Sequence, residues 1–304
     1  MKNNNLLAHL AVFGANLIYG INYTVAKDVM PEYLTPNGFI LVRVLGAAIM
    51  FWLLSFGLKL NESIAKKDWV RLAIAGLFGV AMNQLFFFQG LSLTTPINAA
   101  IIMTINPVMV LIIAAIILRN RITLTKTTGI LLGLSGAVLL TVYKEGEIVI
   151  PNFSQDTALG DMLVLINATS YAIYLVVVKP LMVKYHPVTI VKWVFLFGLI
   201  YVLPFGASEI VSFDWLNFPG YIYGEIAFVV IGTTFFAYLF NMYGLKKLSP
   251  SVVSIYIYLQ PFLATLFALA WGSDSLSLSQ ILAAALVFCG VYLVSKKAKP
   301  VLNE

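Results

Sequence analysis

Apolar stretches of membrane-spanning length recur along the whole chain, and they constrain its fold more than any other feature. They lie at roughly 6–26, 34–58, 70–91, 97–118, 125–143, 158–178, 188–205, 221–243, 252–271 and 278–294. A bilayer core about 30 Å thick takes about 20 predominantly apolar residues in a helix. The connections are short and carry turn residues: Pro31 and Pro36, Thr95-Pro96, Lys144-Glu145-Gly146, His186-Pro187 and Ser249-Pro250. Composition agrees: 61% of the residues are hydrophobic and 11% are charged, against about 45–50% and about 25% in a soluble domain. So few charges cannot solvate a water-facing surface. The expectation is an all-α polytopic membrane protein surrounded by the lipid bilayer.

Charge placement fixes the number of crossings and their direction. With ten transmembrane helices and a cytoplasmic N-terminus, the inner segments hold sixteen of the 19 basic residues, among them Lys59, Lys66, Lys67, Arg71, Arg119, Arg121, Lys126, Lys179, Lys184, Lys192, Lys246 and Lys247. Ten of the 13 acidic residues fall outside. Basic residues favour the cytoplasmic side, so both termini are expected there, in the cytoplasmic (inner) membrane. The net charge of +6 therefore reads as membrane orientation, with no nucleic-acid partner. The first stretch has the look of a signal peptide ending at Thr24-Val25-Ala26, but it recurs later in the chain and is expected to be retained.

That recurrence is a repeat. An offset of 154 residues matches Gly90-Leu91 with Gly244-Leu245, Pro96 with Pro250, Asn106-Pro107 with Gln260-Pro261, and Gly136 with Gly290. An offset of 152 matches Tyr19, Ile21, Val25 and Lys27 with Tyr171, Ile173, Val177 and Lys179. The halves divide at 1–146 and 147–304, with five helices each. Since five is odd, the second half enters the membrane from the opposite side. Two inverted five-helix repeats are a recurring construction of secondary transporters, with the substrate site near the midplane where the halves meet.

The same residues carry a resemblance. Asn106-Pro107-Val108, Ile122-Thr123-Leu124 and the run from Gly129 through Gly133 to Gly136 form one set. Gln260-Pro261-Phe262, Leu276-Ser277-Leu278 and the run from Ala283 to Gly290 form the other, and Pro36 followed by Arg43 also fits. Over nearly its whole length the chain resembles the EamA-type branch of the drug/metabolite transporter superfamily. Asn120 and Asp274 stand where that family usually carries a glutamate. The resemblance implies a non-enzymatic transporter that exports or exchanges amino acids, related metabolites or drugs by alternating access.

Polar residues inside apolar helices are costly in lipid and face protein or a water-filled cavity. Asn16, Asn83, Gln84, Asn106, Asn167 and Gln260 lie near the expected midplane and are the candidates for a substrate cavity. Tyr19, Tyr171, Tyr256 and Tyr258 are expected in its wall, with Tyr174 and Tyr238 as further aromatics and Trp193 as an interfacial anchor. Pro107 and Pro261 each remove an N–H and loosen a helix at mid-membrane, giving a place to bend or gate. Arg43 is a candidate anion anchor for a carboxylate or phosphate. Its place nine residues into the second stretch favours instead snorkelling, or a tie between the first two helices. The glycines Gly129, Gly133 and Gly136 suit close helix packing, with dimerisation a second use.

No cofactor or metal is expected, because Cys289 is the single cysteine and His9 and His186 lie far apart. No acidic residue lies mid-helix; Asp161 and Glu225 come nearest. Transport down the substrate gradient or by exchange is therefore expected. The partner is a small-molecule substrate, and a monomer or a homodimer both fit. An exchanger of phosphorylated or nucleotide-linked solutes is the alternative, and it would want more cavity cations than Arg43. A channel uses the same helices and would conduct without saturating. An intramembrane enzyme would need a nucleophile–base pair, a metal-binding histidine pair or paired aspartates inside the helices, whereas no HExxH occurs, the histidines lie far apart and no aspartate lies mid-helix.

Overall fold

The computed structural model describes residues 2–30, 32–144, 147–148, 153–263 and 278–296. Helix α1 runs Lys2–Val29 and α2 Pro36–Gly57. They are followed by α3 Lys66–Leu93, α4 Asn98–Ile117, α5 Leu124–Val142, α6 Ala158–Lys184, α7 Pro187–Ser212, α8 Gly220–Lys247 and α9 Pro250–Leu263, then α10 Leu278–Ser295. Among the described residues seven helices, α2 to α8, are long and apolar enough to cross a membrane. Helix α1 has 28 residues, and α9 and α10 contain shorter apolar helices. The stretch expected at 252–271 passes beyond the described residues after Leu263, and Pro31, Glu145-Gly146 and Asp274 also lie outside them. Besides helices, Tyr143–Lys144 pairs antiparallel with Glu147–Ile148.

The helix starts follow from the turn residues. Pro36, Pro187 and Pro250 sit in first turns, where a missing N–H costs nothing. Ser249 Oγ accepts from Val252 N at 3.4 Å, and Thr95 Oγ1 from Asn98 N at 3.1 Å. Helix α2 ends with Lys59 at φ 52°. There Lys59 N bonds Phe56 O at 2.9 Å and Leu60 N bonds Ser55 O at 3.0 Å, so a left-handed residue closes the last turn and satisfies its carbonyls.

Four antiparallel pairs build the bundle, and small residues set their spacing. Between α5 and α10, a Cβ on Gly290 would lie 2.5 Å from Gly129 O and 2.7 Å from Gly133 N, and one on Gly136 2.6 Å from Ala283 O. Between α3 and α6, Gly90 and Gly160 meet so closely that a Cβ on either would lie 2.9 Å from the other's carbonyl oxygen. Gly244 of α8 receives Val12 of α1, and Gly206 of α7 lies against Asn37 O of α2. Gly129, Gly133 and Gly136 are thus used within the chain for helix packing.

Buried side chains run through the whole interior, while the outside of the bundle is apolar, with Phe56 86% and Ile116 73% exposed. At one end Lys184 pairs with Asp68 at 2.8 Å, and Tyr185 OH donates to the same carboxylate. At the other, Glu209 of α7 accepts from Gly38 N at 2.9 Å, from Asn37 Nδ2 at 3.1 Å and from Thr35 Oγ1. A carboxylate there also meets the positive end of the α2 dipole.

A branched side chain at Gly290 would meet backbone that cannot retreat, so the helices must part. Overpacking of this kind costs about 1–3 kcal/mol. Gly290→Val is expected to melt several degrees below wild type in detergent, whereas Gly224→Ala, which has nothing within 4 Å, should not. Equal melting temperatures for all three proteins would contradict the close approach.

Candidate functional site

The interior holds polar side chains around a cavity of about 110 Å³, room for several waters at the ~10–15 Å³ each requires. Of the residues expected from the sequence, Asn16, Tyr19, Arg43, Asn83, Gln84, Asn167, Tyr171 and Gln260 line it. They come from α1, α2, α3, α6 and α9. Tyr238 of α8, expected among the further aromatics, also lines it, and Asn22, Thr233 and Asn241 join them, with Phe87, Phe88, Met103, Val253 and Ile257 as the apolar part of the wall.

Three expected residues lie elsewhere. Asn106 is fully buried and donates through Nδ2 to Ala168 O at 2.6 Å. Tyr256 OH meets His9 Nδ1 at 2.7 Å. Tyr258 is fully buried, its ring filling the space that a Cβ on Gly133 would need. Tyr174 covers Gly79 in the same way. Trp193 packs edge-on against Trp52 and Trp69 at 5.0 and 4.6 Å. Asp161 accepts from Thr157 Oγ1 at 3.0 Å and Asn98 Nδ2 at 3.3 Å, joining α6 to α4. Neither Asp161 nor Glu225 lines the cavity.

Helix irregularities cluster around the cavity. In α3 residues Leu77–Ala81 form a π turn, with Met82 N bonded to Leu77 O, and in α8 Val229–Phe236 do the same, with Ala237 N bonded to Gly232 O. Such turns widen the helix and redirect side chains, and they concentrate at functional sites. In α4, Thr104 N and Ile105 N bond back only three residues, each at 3.0 Å, ahead of Asn106-Pro107. In α9, Tyr256–Tyr258 is a 3-10 turn ahead of Gln260-Pro261. The proline ring collides with the carbonyl four residues earlier, and the chain tightens there. The helix irregularities thus fall just before Pro107 and Pro261, at residues 104–105 and 256–258.

Hydrogen bonds fix the lining groups. Gln260 Nε2 donates to Asn16 Oδ1 at 2.9 Å, and Asn16 Nδ2 to Val12 O at 2.8 Å. Asn167 Nδ2 donates to Asn83 O. Tyr238 OH donates to Gly79 O at 2.8 Å, Thr233 Oγ1 to Asn22 Oδ1 at 3.0 Å, and Asn241 Nδ2 to Tyr19 OH at 3.2 Å. Arg43 is 4% exposed and does not snorkel to the surface. Its Nε donates to Thr234 Oγ1 at 3.2 Å, and its guanidinium carbon stands 4.8 Å from the centre of the Phe88 ring. Among the described residues no carboxylate lies within ion-pair distance of Arg43, and no group of three or more His, Cys, Asp or Glu could hold a metal.

The missed residues had a signal in the sequence. Asn16, Tyr19 and Asn22 are spaced by three along α1, as are Tyr238 and Asn241 along α8, and residues three apart share a helix face. Extending each candidate by one turn finds Asn22 and Asn241. Thr233 reaches the cavity from within a π turn, which spacing does not reveal.

The profile of the EamA-like transporter family matches residues 6–142 and 158–296. An uncharacterized transporter of Archaeoglobus fulgidus is 30% identical over 98% of this chain and 100% of its own length. An uncharacterized transporter of Bacillus subtilis, YyaM, is 28% identical over 97% and 95%. A WAT1-related protein of Arabidopsis thaliana is 24% identical over 91% and 79%. A solved crystal structure superposes with a TM-score of 0.76 over 95% of this chain and 96% of that one, at 20% identity, a likeness of fold alone. The chain belongs to the EamA-like transporter family and is a multi-pass membrane transporter.

Proposed function

We propose that the chain is a secondary carrier that exports or exchanges small polar metabolites, such as amino acids and related compounds or drugs, across the cytoplasmic membrane by alternating access. The observation that carries this reading is the cavity, lined by uncharged amides and tyrosines from helices on both sides of residues 146 and 147. A set of hydrogen-bonding groups around room for solvent suits a small polar solute. A single copy supplies all of this lining, so a monomer suffices, and a homodimer also fits.

Ten crossings in two inverted repeats, 1–146 and 147–304, receive support from matched contacts. Gly90 against Val164 and Gly160 answers to Gly244 against Val12 and Ala8. Gly79 against Tyr174 answers to Thr233 against Asn22. Asn106 on Ala168 answers to Gln260 on Asn16. Each contact pairs residues related by the offsets of 154 and 152. The π turns of α3 and α8 also correspond at 154. Helices α3 and α6 run antiparallel, with Gly90 against Gly160 and Gly79 against Tyr174, which supports a second half that enters from the opposite side. Rocking the halves about α5 and α10, where Gly129 meets Gly290, would expose the cavity to alternate sides.

Three outcomes test this. Proteoliposomes loaded with mixed amino acids should take up one labelled solute saturably, with Asn167→Ala or Gln260→Ala about tenfold slower, a loss of about 1.4 kcal/mol. No exchange by folded protein across a broad metabolite panel would refute the carrier. With no carboxylate in the described lining, a pH gradient alone should drive no uptake; uptake so driven, and lost in Asp161→Asn or Glu225→Gln, would overturn the exchange mode. In a Cys289→Ser background, Asn217→Cys should react with an impermeant maleimide on whole cells and Lys59→Cys only after permeabilisation. The reverse would invert the orientation.

A further inference from the structure

We propose that Arg43 makes the cavity selective for a small organic monocarboxylate, whose carboxylate lies against the guanidinium while its uncharged remainder bonds to the surrounding amides. This rests on the carrier reading above and narrows its substrate class to monoanions with a neutral body, which takes the zwitterionic amino acids out of it. Among the described residues, Arg43 Nη1 is buried and has no hydrogen-bond partner, although the residue borders the cavity. Its Nε is taken by Thr234, and Phe88 and Phe39 face the guanidinium carbon at 4.8 and 5.8 Å from their ring centres. Aromatic faces attract a cation but accept no in-plane hydrogen bond comparable to that of a carboxylate oxygen. A buried charge with no counterion is expensive. A ligand carboxylate supplies both the missing acceptor and the missing charge.

The rest of the lining sets the ligand's charge. Beside Arg43 the described polar wall consists of amides and hydroxyls, such as Asn83, Gln84, Asn167 and Asn241. A dianionic phosphate ester would bring one negative charge more than the cavity offsets. A zwitterion would bring an ammonium with no carboxylate among the described lining residues to meet it. An uncharged solute would leave Arg43 as it stands. A monoanion with a neutral, hydrogen-bonding or aromatic body meets every group, with Phe88 beside the charge and Phe87 also in the wall.

Thermal stabilisation of purified protein reads binding without requiring transport. Phenylacetate, phenylacetamide, phenylglycine and phenyl phosphate share an aromatic body and differ in charge. Phenylacetate should stabilise the protein at concentrations about tenfold lower than the other three, as expected for one charge-assisted hydrogen bond. Arg43→Gln should abolish that preference, and Arg43→Lys should keep part of it, because the charge stays while the planar fork is lost. Thr234→Val, which leaves the guanidinium but removes its support, should weaken the preference even if Arg43→Gln does not fold. Equal stabilisation by all four compounds, a preference for phenylglycine or phenyl phosphate, or a preference unchanged in Arg43→Gln would overturn the proposal. The exchange assay separates the two readings: exchange of some other solute by wild type, with no phenylacetate preference, removes the monocarboxylate and leaves the carrier. Phenylacetate binding with no exchange of any solute removes the carrier and leaves the anion site.

Discussion

The close approach of antiparallel helices at glycine is the constraint on which the bundle and its cavity are built. Lipid tails are as apolar as the side chains they touch, so hydrophobic burial does little to bring helices together in a bilayer, and close van der Waals packing must do more. Gly90 with Gly160, and Gly129 and Gly133 with Gly290, bring backbone to backbone across the midpoint of the chain. These contacts join α3 to α6 and α5 to α10. Asn83 and Asn167, one to two turns from Gly90 and Gly160 along the same two helices, are thereby near enough to hydrogen bond. The polar cavity depends on small residues that do not border it.

Regular helices packed this closely would leave little interior space, and the irregular turns provide it. A π turn adds a residue to the turn and rotates the helix beyond it. In α8 the turn at Val229–Phe236 carries Thr233 to Asn22 and Thr234 to Arg43. In α3 the turn at Leu77–Ala81 presents Gly79 O to Tyr238. The tightened segments before Pro107 and Pro261 act in the other direction, narrowing α4 and α9. All four sit at cavity depth, where water or a neighbouring side chain can satisfy backbone groups that lipid could not.

Those features explain what the sequence made legible. Helix positions and starts were readable because apolar length, prolines and turn residues act locally. Tyr19 and Tyr171 were readable as a pair because each occupies the same position in the repeat, and both line the cavity. Asn106 and Gln260 occupy matching positions too, yet only Gln260 reaches it. The cause is a single partner. Asn106 bonds a backbone carbonyl because residue 168 is alanine, whereas Gln260, one methylene longer, bonds the side chain of Asn16. Tyr256 and Tyr258 were misplaced for a different reason. The 3-10 turn that contains them changes the angular spacing, sending one ring to His9 and the other to Gly133. Pattern alone assumes regular helices, and it fails where the helices around a cavity are irregular.

Arg43 shows how depth along a helix can mislead. Nine residues from the start of a stretch, a long side chain can normally reach the interface. Here Thr234 and the rings of Phe39 and Phe88 hold it inward, and the gain from aromatic faces and one hydroxyl is small beside the cost of a buried charge without a counterion. The imbalance has a mechanical consequence for a carrier that takes a monoanion. Closing the empty cavity would desolvate an isolated cation, whereas closing it over a bound carboxylate would desolvate a neutral pair. The loaded protein then changes sides more readily than the empty one, because a ligand shifts a conformational equilibrium only through its different affinity for the two states. A carrier that returns slowly when empty and quickly when loaded exchanges one substrate for another. On the proposed monoanion reading, the charge of the cavity and an exchange mode of transport would share one physical origin.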